Sequence, residues 1–317
     1  MIEMTQRPTV VISLDFELRW GMQARLRFDP NAYRENLENE IPVVQQLLKL
    51  FLERRIHATW AVVGAIACHG WDEYFLRAPR PPRYHDPNLA ISPRYAELDP
   101  DGRLHFGAGA VHAIHDTPGQ ELGTHTFSHI LMREPGISAD DVRLDLQAAA
   151  SLWRERFGAA PVSLVFPKNQ IAFDSVVRDC GIRIWRGTEG PWYFDRTDAR
   201  RISPLSRGLR LIDAVNPFVC RASPVQGNVT RSSLFLRTNL PRPASALHVA
   251  RIRRELAALR APQVFHLWWH PHNLGVQMRT RIGRVEQILN LIASECARGR
   301  VVSRSMSQLL PGNASSC

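Results

Sequence analysis

At 317 residues, with 44% hydrophobic and 22% charged residues, the chain is long enough for one large α/β domain or two small ones, and nothing in it signals extended disorder. Its formal net charge of +10 raises nucleic acid as a partner, yet Lys49 and Lys168 are the only lysines, the arginines run throughout the chain, and no helix-turn-helix, zinc-finger or aromatic RNA-binding signature accompanies them. The excess reads first as base-composition bias and second as an arginine-lined pocket for an anionic substrate.

The amino terminus, "MIEMTQRPTVVISL", has no basic flank, and its apolar run is too short for a signal peptide or a membrane span, so a cytoplasmic location is expected. Five cysteines (Cys68, Cys180, Cys220, Cys296, Cys317) without a CxxC pair argue against a disulfide framework or a thiolate zinc site and fit a reducing compartment. The run from Thr9 to Leu14 reads as a buried strand and leads into "SLDFELRWG", which sets Asp15 and Glu17 two residues apart. Two carboxylates at the end of a buried strand repel and lose hydration, a cost of several kcal/mol unless a cation or hydrogen-bond donors compensate. The rest of the sequence should hold that partner.

An amphipathic helix is expected from about Asn36 to Arg54, followed by a strand in "HATWAVVG" (His57 to Gly64). Residues 70–118 are rich in proline and polar residues without a clear period, and read as one long inserted loop or lid. A strand in "QELGTH" (Gln120 to His125), a helix from about Ala139 to Arg156 and a strand in "PVSLVFP" (Pro161 to Pro167) come next. A helix from Asp174 to Cys180, capped by Gly181, precedes "IRIW". Further strands are expected at "LRLIDAV" (Leu209 to Val215) and "QVFHLWWH" (Gln263 to His270), with a closing helix from about Thr280 to Arg298. Strands alternating with helices give a parallel sheet covered on both faces, open or closed into a barrel, in a single domain over residues 1–317.

Three further stretches end predicted parallel strands on the side where α/β folds build their sites. "GTHTFSHILM" sets His125 and His129 four apart, on one side of a helical turn, where both could reach one metal ion. "FHLWWHPHNLG" alternates His266, Trp268 and His270 along one strand face, with His272 past Pro271; His266 reads as a core histidine and His270 as the working one at the rim. "VFPKNQ" places Lys168 and Asn169 directly after buried residues.

In this order, "SLDFE", "HTFSH", "VFPKNQ" and "WWHPHN" resemble the motifs of the polysaccharide deacetylases that share the NodB homology domain, carbohydrate esterase family 4, and "HATWAVVG" looks like that family's second strand. The resemblance runs from about Thr9 to Leu309, apart from most of the insertion. It implies a distorted (β/α) barrel of about seven parallel strands and a hydrolase acting on a linear amide. It also implies a single divalent ion, with zinc foremost, held by Glu17, His125 and His129. Asp15 would be the catalytic base and His270 the general acid.

The family's base-orienting arginine motif reads "FPKNQ" here, which leaves Lys168 as the substitute, and Asp213 is the nearest match to the aspartate that tunes the acid. Asn169, Trp268 and His272 are read as substrate-binding residues. The implied substrate is an N-acyl amino sugar, nucleotide- or lipid-linked, made for a bacterial surface glycan such as O-antigen. The rival readings are an amidase for a small non-sugar amide and an inactive carbohydrate-binding relative. Neither nucleic acid nor an integral membrane segment is expected.

Overall fold

The computed structural model of the chain describes residues 7–22, 33–91, 94–195 and 203–311. Its elements begin with β1 (Thr9–Phe16), α1 (Arg34–Glu38), α2 (Glu40–Arg54), β2 (Ala58–Val62), α3 (Trp71–Arg77), α4 (Arg94–Leu98), α5 (Ala108–Asp116) and β3 (Gln120–Thr124). The middle of the chain gives α6 (Ala139–Phe157), β4 (Ser163–Leu164), α7 (Asp174–Asp179), β5 (Ile184–Gly187) and α8 (Pro204–Val215). Then come β6 (Val229–Arg231), β7 (Leu234–Phe235), α9 (Arg242–Ala258), β8 (Val264–Trp269), α10 (Met278–Ala297) and β9 (Val302–Arg304).

Alternation along β1 sorts the molecule into an outside and an inside. Val10, Ile12, Leu14 and Phe16 join the large apolar cluster under the helices, with Phe51 of α2, Trp60 and Trp269. Burying each such side chain contributes roughly 1.5–3 kcal/mol. Val11 faces the other way, into a smaller cluster with Ala61, Val165, Ile184, Val264 and Met306. Ser13 and Asp15 continue that inner row, so the apolar plug gives way to polar side chains toward the carboxyl ends of the strands.

The strands pair in parallel in the order β6-β5-β4-β3-β2-β1-β8-β7, with β9 also on β1. The two ends of this path, β6 and β7, are consecutive in the chain, and Thr230 of β6 comes within 3.4 Å of His266 Nδ1 on β8. The sheet is therefore curled on itself, a distorted (β/α) barrel. Nine strands are present among the described residues against about seven expected, because β6, β7 and β9 are too short to leave a sequence period.

Two expectations are corrected. The segment 209–215 is helical: Ser203 caps the start of α8 by accepting from Ser206 N–H at 3.1 Å, and Pro204 occupies the first turn, a start signal six residues upstream of the apolar run. The insertion, expected to be structureless, contains α3, α4 and α5. Trp71, Tyr74, His105 and Phe106 pack around the buried Trp20 there, and Tyr84 Oη accepts from Leu131 N–H at 2.9 Å, bracing the loop after β3. Cys68, Cys180, Cys220 and Cys296 are free thiols, while Cys317 and residues 1–6, read as lacking a leader, lie outside the described residues. No described helix is long and apolar enough to cross a membrane.

Candidate active site

Asp15 and Glu17 leave β1 toward the carboxyl end of the barrel, and both are buried. Their expected partners converge on them. One carboxylate oxygen of Glu17 lies 3.0 Å from His129 Nε2 and the other 2.8 Å from His270 Nε2, and Asp15 Oδ2 is 3.7 Å from the same His270 nitrogen. The donor atoms of Glu17, His125 and His129 all lie within 4.8 Å of one another. Gly21 makes room for this arrangement, since a Cβ there would stand 1.7 Å from Glu17 Oε2.

The spacing of His125 and His129 was expected to work through a helical turn, but the structure uses an irregular loop. Thr126 and His129 adopt left-handed backbone conformations (φ 66° and 58°), which non-glycine residues rarely hold without support. The support is Asp145 of α6, which accepts from Phe127 N–H at 2.6 Å, from Ser128 N–H at 3.1 Å and from the Ser128 hydroxyl. The Thr126 hydroxyl in turn accepts from Ile130 N–H at 3.0 Å. Asp145 looked like an ordinary helix residue in the sequence, and only its position opposite the loop gives it a role.

These residues fit a divalent metal ion. His125 Nδ1 lies 2.7 Å from Val165 O, and a carbonyl can only accept, so Nδ1 carries the proton and Nε2 presents a bare lone pair. Burial pushes the His125 pKa down to about 4, which keeps the ring neutral as a ligand should be. Burial would raise Glu17, but His270 and His129 outweigh it and hold the carboxylate well below its usual range.

The guanidinium that holds Asp15 belongs to Arg186 of β5, which sequence reasoning missed. It donates from Nη1 to Oδ1 at 2.6 Å and from Nη2 to Oδ2 at 2.7 Å, a bidentate pair, and also reaches Ser13 Oγ (3.0 Å) and Asn169 Oδ1 (3.1 Å). Its carbon sits 4.0 Å from the centroid of the Trp268 ring. Lys168, the expected substitute, does not hold that position. A signal was available: an arginine inside the apolar strand "IRIWRG" must be paired, and Asp15 was the buried acid in want of a cation. Burial opposes ionisation of Asp15, yet Arg186, then His270 and His125, keep its pKa below the ordinary value.

His270 keeps 23% of its side chain exposed, enough to meet a ligand, and although burial works against its charge, Glu17 and then Asp15 raise its pKa. Asp213, expected to tune it, sits instead in α8 and pairs with Arg221 and Tyr193. The carboxylates acting on His270 are those of Glu17 and Asp15. His272 Nδ1 faces Glu40 of α2 at 3.8 Å, and its carbonyl accepts from Asn36 at 2.7 Å, which fixes the turn after His270. Trp268 is part of the wall, its indole N–H donating to the buried Glu189 at 2.9 Å. His266 is a core residue, as read: Ser13 Oγ, which accepts from Arg186, lies 2.8 Å from its Nε2, and burial takes its pKa to about 3.

Neither family models nor curated protein sequences match the chain. Among solved structures, a Mycobacterium smegmatis protein assigned as a polysaccharide deacetylase aligns over 96% of this chain and 90% of its own, with 16% identity and a TM-score of 0.50. The Xyl-CE4 domain of a multidomain xylanase from the hindgut metagenome of Trinervitermes trinervoides covers 98% and 93% (9% identity, TM-score 0.45). A Streptococcus mutans CE4 esterase covers 96% and 88% (13% identity, TM-score 0.44). The first of these likenesses establishes a shared fold.

Proposed function

We propose that this protein is a metal-dependent N-deacylase that removes a short acyl group, acetyl or formyl, from an amino sugar. One observation carries the reading: a three-residue ligand set, an arginine-held carboxylate and a partly exposed histidine paired to carboxylates all face the same space at the mouth of the barrel. A divalent ion on Glu17, His125 and His129, with zinc foremost, would supply Lewis acidity to the acyl carbonyl and to water.

The chain's own groups do the rest. Arg186 fixes both oxygens of Asp15, leaving the outer lone pairs to take a proton from the attacking water. His270, drawn toward its protonated form by Glu17 and Asp15, gives a proton to the departing amine, without which an amine does not leave a tetrahedral carbon. Asn169, braced on Arg186, and His272, whose ring lies beside that of His270, are proposed to contact the sugar. Lys168 follows Pro167 at the same rim.

A pure binding protein has no need of an oriented Asp15 or of His270, which favours turnover. The arginine excess favours a substrate with an anionic carrier, a nucleotide- or lipid-linked sugar handled in the cytoplasm for a surface glycan such as O-antigen. The test is a panel of nucleotide-linked and lipid-linked N-acyl sugars incubated with metal-loaded protein and read by mass spectrometry. Loss of acetyl or formyl mass from one member is expected. Binding without mass loss across the panel would leave the inactive-relative reading in its place.

A further inference from the structure

The arginines occur throughout the chain, but the acids do not. Residues 199–262 contain 12 arginines and only two acids, Asp213 and Glu255, so this one segment carries the whole formal excess of +10. Both acids are buried and already paired, Asp213 with Arg221 and Glu255 with Arg251 at 2.9 Å.

Within this segment α8 is turned inside out. Its buried residues are Asp213 and Ala214, and its Arg210 reaches inward to Tyr193 O at 2.6 Å, while Leu205 and Ile212 on the opposite side are 65% and 61% exposed. Leu205, Leu209 and Ile212 follow the i, i+4, i+7 spacing of one helix face. Phe218, just past the helix, is 80% exposed, and Trp192, in the turn that Arg210 holds, is 67% exposed. Exposed arginines lie at the end of the ridge, where the guanidinium carbon of Arg254 is 5.7 Å from the Phe218 ring and Arg253 precedes it in α9; Arg207 is also exposed, on another side of α8. A run of exposed Leu, Ile, Phe and Trp rimmed by cations marks a docking surface.

We infer that α8 and Phe218 lie in the plane of a lipid bilayer containing anionic headgroups. A large apolar face edged by arginine, on a helix too short to span, is the pattern of an interfacial helix. A second copy of the chain fits poorly, because a twofold contact would set the same uncompensated arginines against each other. On its inward side α8 is tied by Arg210 to the connection after β5, and Glu189 of that same connection holds the Trp268 indole two residues before His270. Docked this way, the protein is held at the membrane surface. Resting on the proposed N-deacylase reading for this last step, the inference narrows the substrate to a lipid-linked sugar.

The experiment is flotation of the full chain with vesicles of phosphatidylcholine alone and of phosphatidylcholine with one third phosphatidylglycerol, read without any substrate. Binding to the anionic vesicles is expected, weakened by salt. Ile212→Gln and Phe218→Ser should each lower it about tenfold, and Arg254→Gln about fivefold. Both apolar changes are at exposed positions, and unaltered thermal melts will show that the fold is kept. Equal floating of all variants, no floating of wild type, or a stable dimer in sedimentation velocity that Ile212→Gln dissociates would overturn the inference. Because the readout needs no catalysis, a failed deacylation panel leaves it standing, and its own failure leaves the reaction standing.

Discussion

Replacing Arg186 by methionine keeps an unbranched apolar stem and deletes the fork that grips Asp15. Both partners are buried, with side chains 1% and 4% exposed, so the carboxylate left behind has no water to turn to. Breaking a buried pair from one side costs about 3–5 kcal/mol. For a chain of 317 residues, at about 2.1 cal/mol/K of unfolding entropy per residue, that lowers Tm on the order of 5–8 °C. The loss has a pH signature. In the wild type Asp15 titrates below its ordinary value, so it adds stability above the unfolded pKa and loses it as pH falls through the folded one. In Arg186→Met the opposing burial dominates, the folded pKa rises above the unfolded one, and the deficit is greatest near neutrality and shrinks below about pH 4. Urea denaturation at pH 7 and pH 3.5 measures both, and the double variant with Asp15→Asn should recover much of the loss. Metal content should hold, since Arg186 touches none of Glu17, His125 or His129, while turnover collapses and Arg186→Lys restores only part of it. A penalty under about 1 kcal/mol, or additive single and double variants, would refute the pairing argument.

The ligand set predicts that His125→Ala or His129→Ala abolishes retention of a divalent ion, whereas Asp15→Asn keeps the ion and loses turnover; elemental analysis beside an activity assay separates the two carboxylates, with Glu17→Gln lowering both. Gly21→Ala should also weaken metal retention, because the new methyl group displaces the Glu17 carboxylate; unchanged zinc affinity would show that Glu17 is not a ligand. His270→Ala should slow hydrolysis of an N-acyl sugar by roughly two to four powers of ten and an activated aryl ester far less. Equal losses would make His270 a binding group and His272 the next acid to try. Burial lowers His248 to about 4 and His266 to about 3, so each favours the fold above the unfolded value near 6.5 and withdraws that support as pH falls toward the folded one. Between pH 7 and pH 5 each should remove about 2 kcal/mol of stability, and a flat denaturation profile over that range would contradict their neutral burial.

The parts of the fold with a clean period were legible. The strands at β1, β2, β3 and β8 and the helices α2, α6 and α10 lie where apolar spacing puts them, and Asp15, Glu17, His125, His129 and His270 meet as their strand-end positions imply. What failed did so for physical reasons. Alternation in "LRLIDAV" mimics a strand, but α8 exposes its apolar side, so the rule that apolar residues mark the buried face misleads there. Lys168 stands in the motif position where the family resemblance expects the cation, but Arg186 pairs with Asp15. Arg186 is not legible as that partner because contact between β5 and β1 depends on the curvature of the sheet, which a linear pattern does not carry. The loop holding the two histidines looked helical because i, i+4 spacing admits any backbone that brings two side chains together, and Asp145, far along the chain, selects the one used.

Along the sheet, β2, β3 and β4 separate β5 from β1, and four strand spacings in a flat sheet would set them roughly 19 Å apart. Arg186 nevertheless touches Asp15 at 2.6 Å, so the pair works as a strut whose length is met only when the wall has closed. The three proposed metal ligands come from the ends of β1 and β3, linked by β2, with His125 oriented by the Val165 carbonyl past β4 and the His129 loop held by Asp145 of α6. A wall left open between β5 and β1 would keep the proposed ligands together while leaving Asp15 unoriented. On the proposed reading, holding the ion and orienting the base fall to different arcs of one wall.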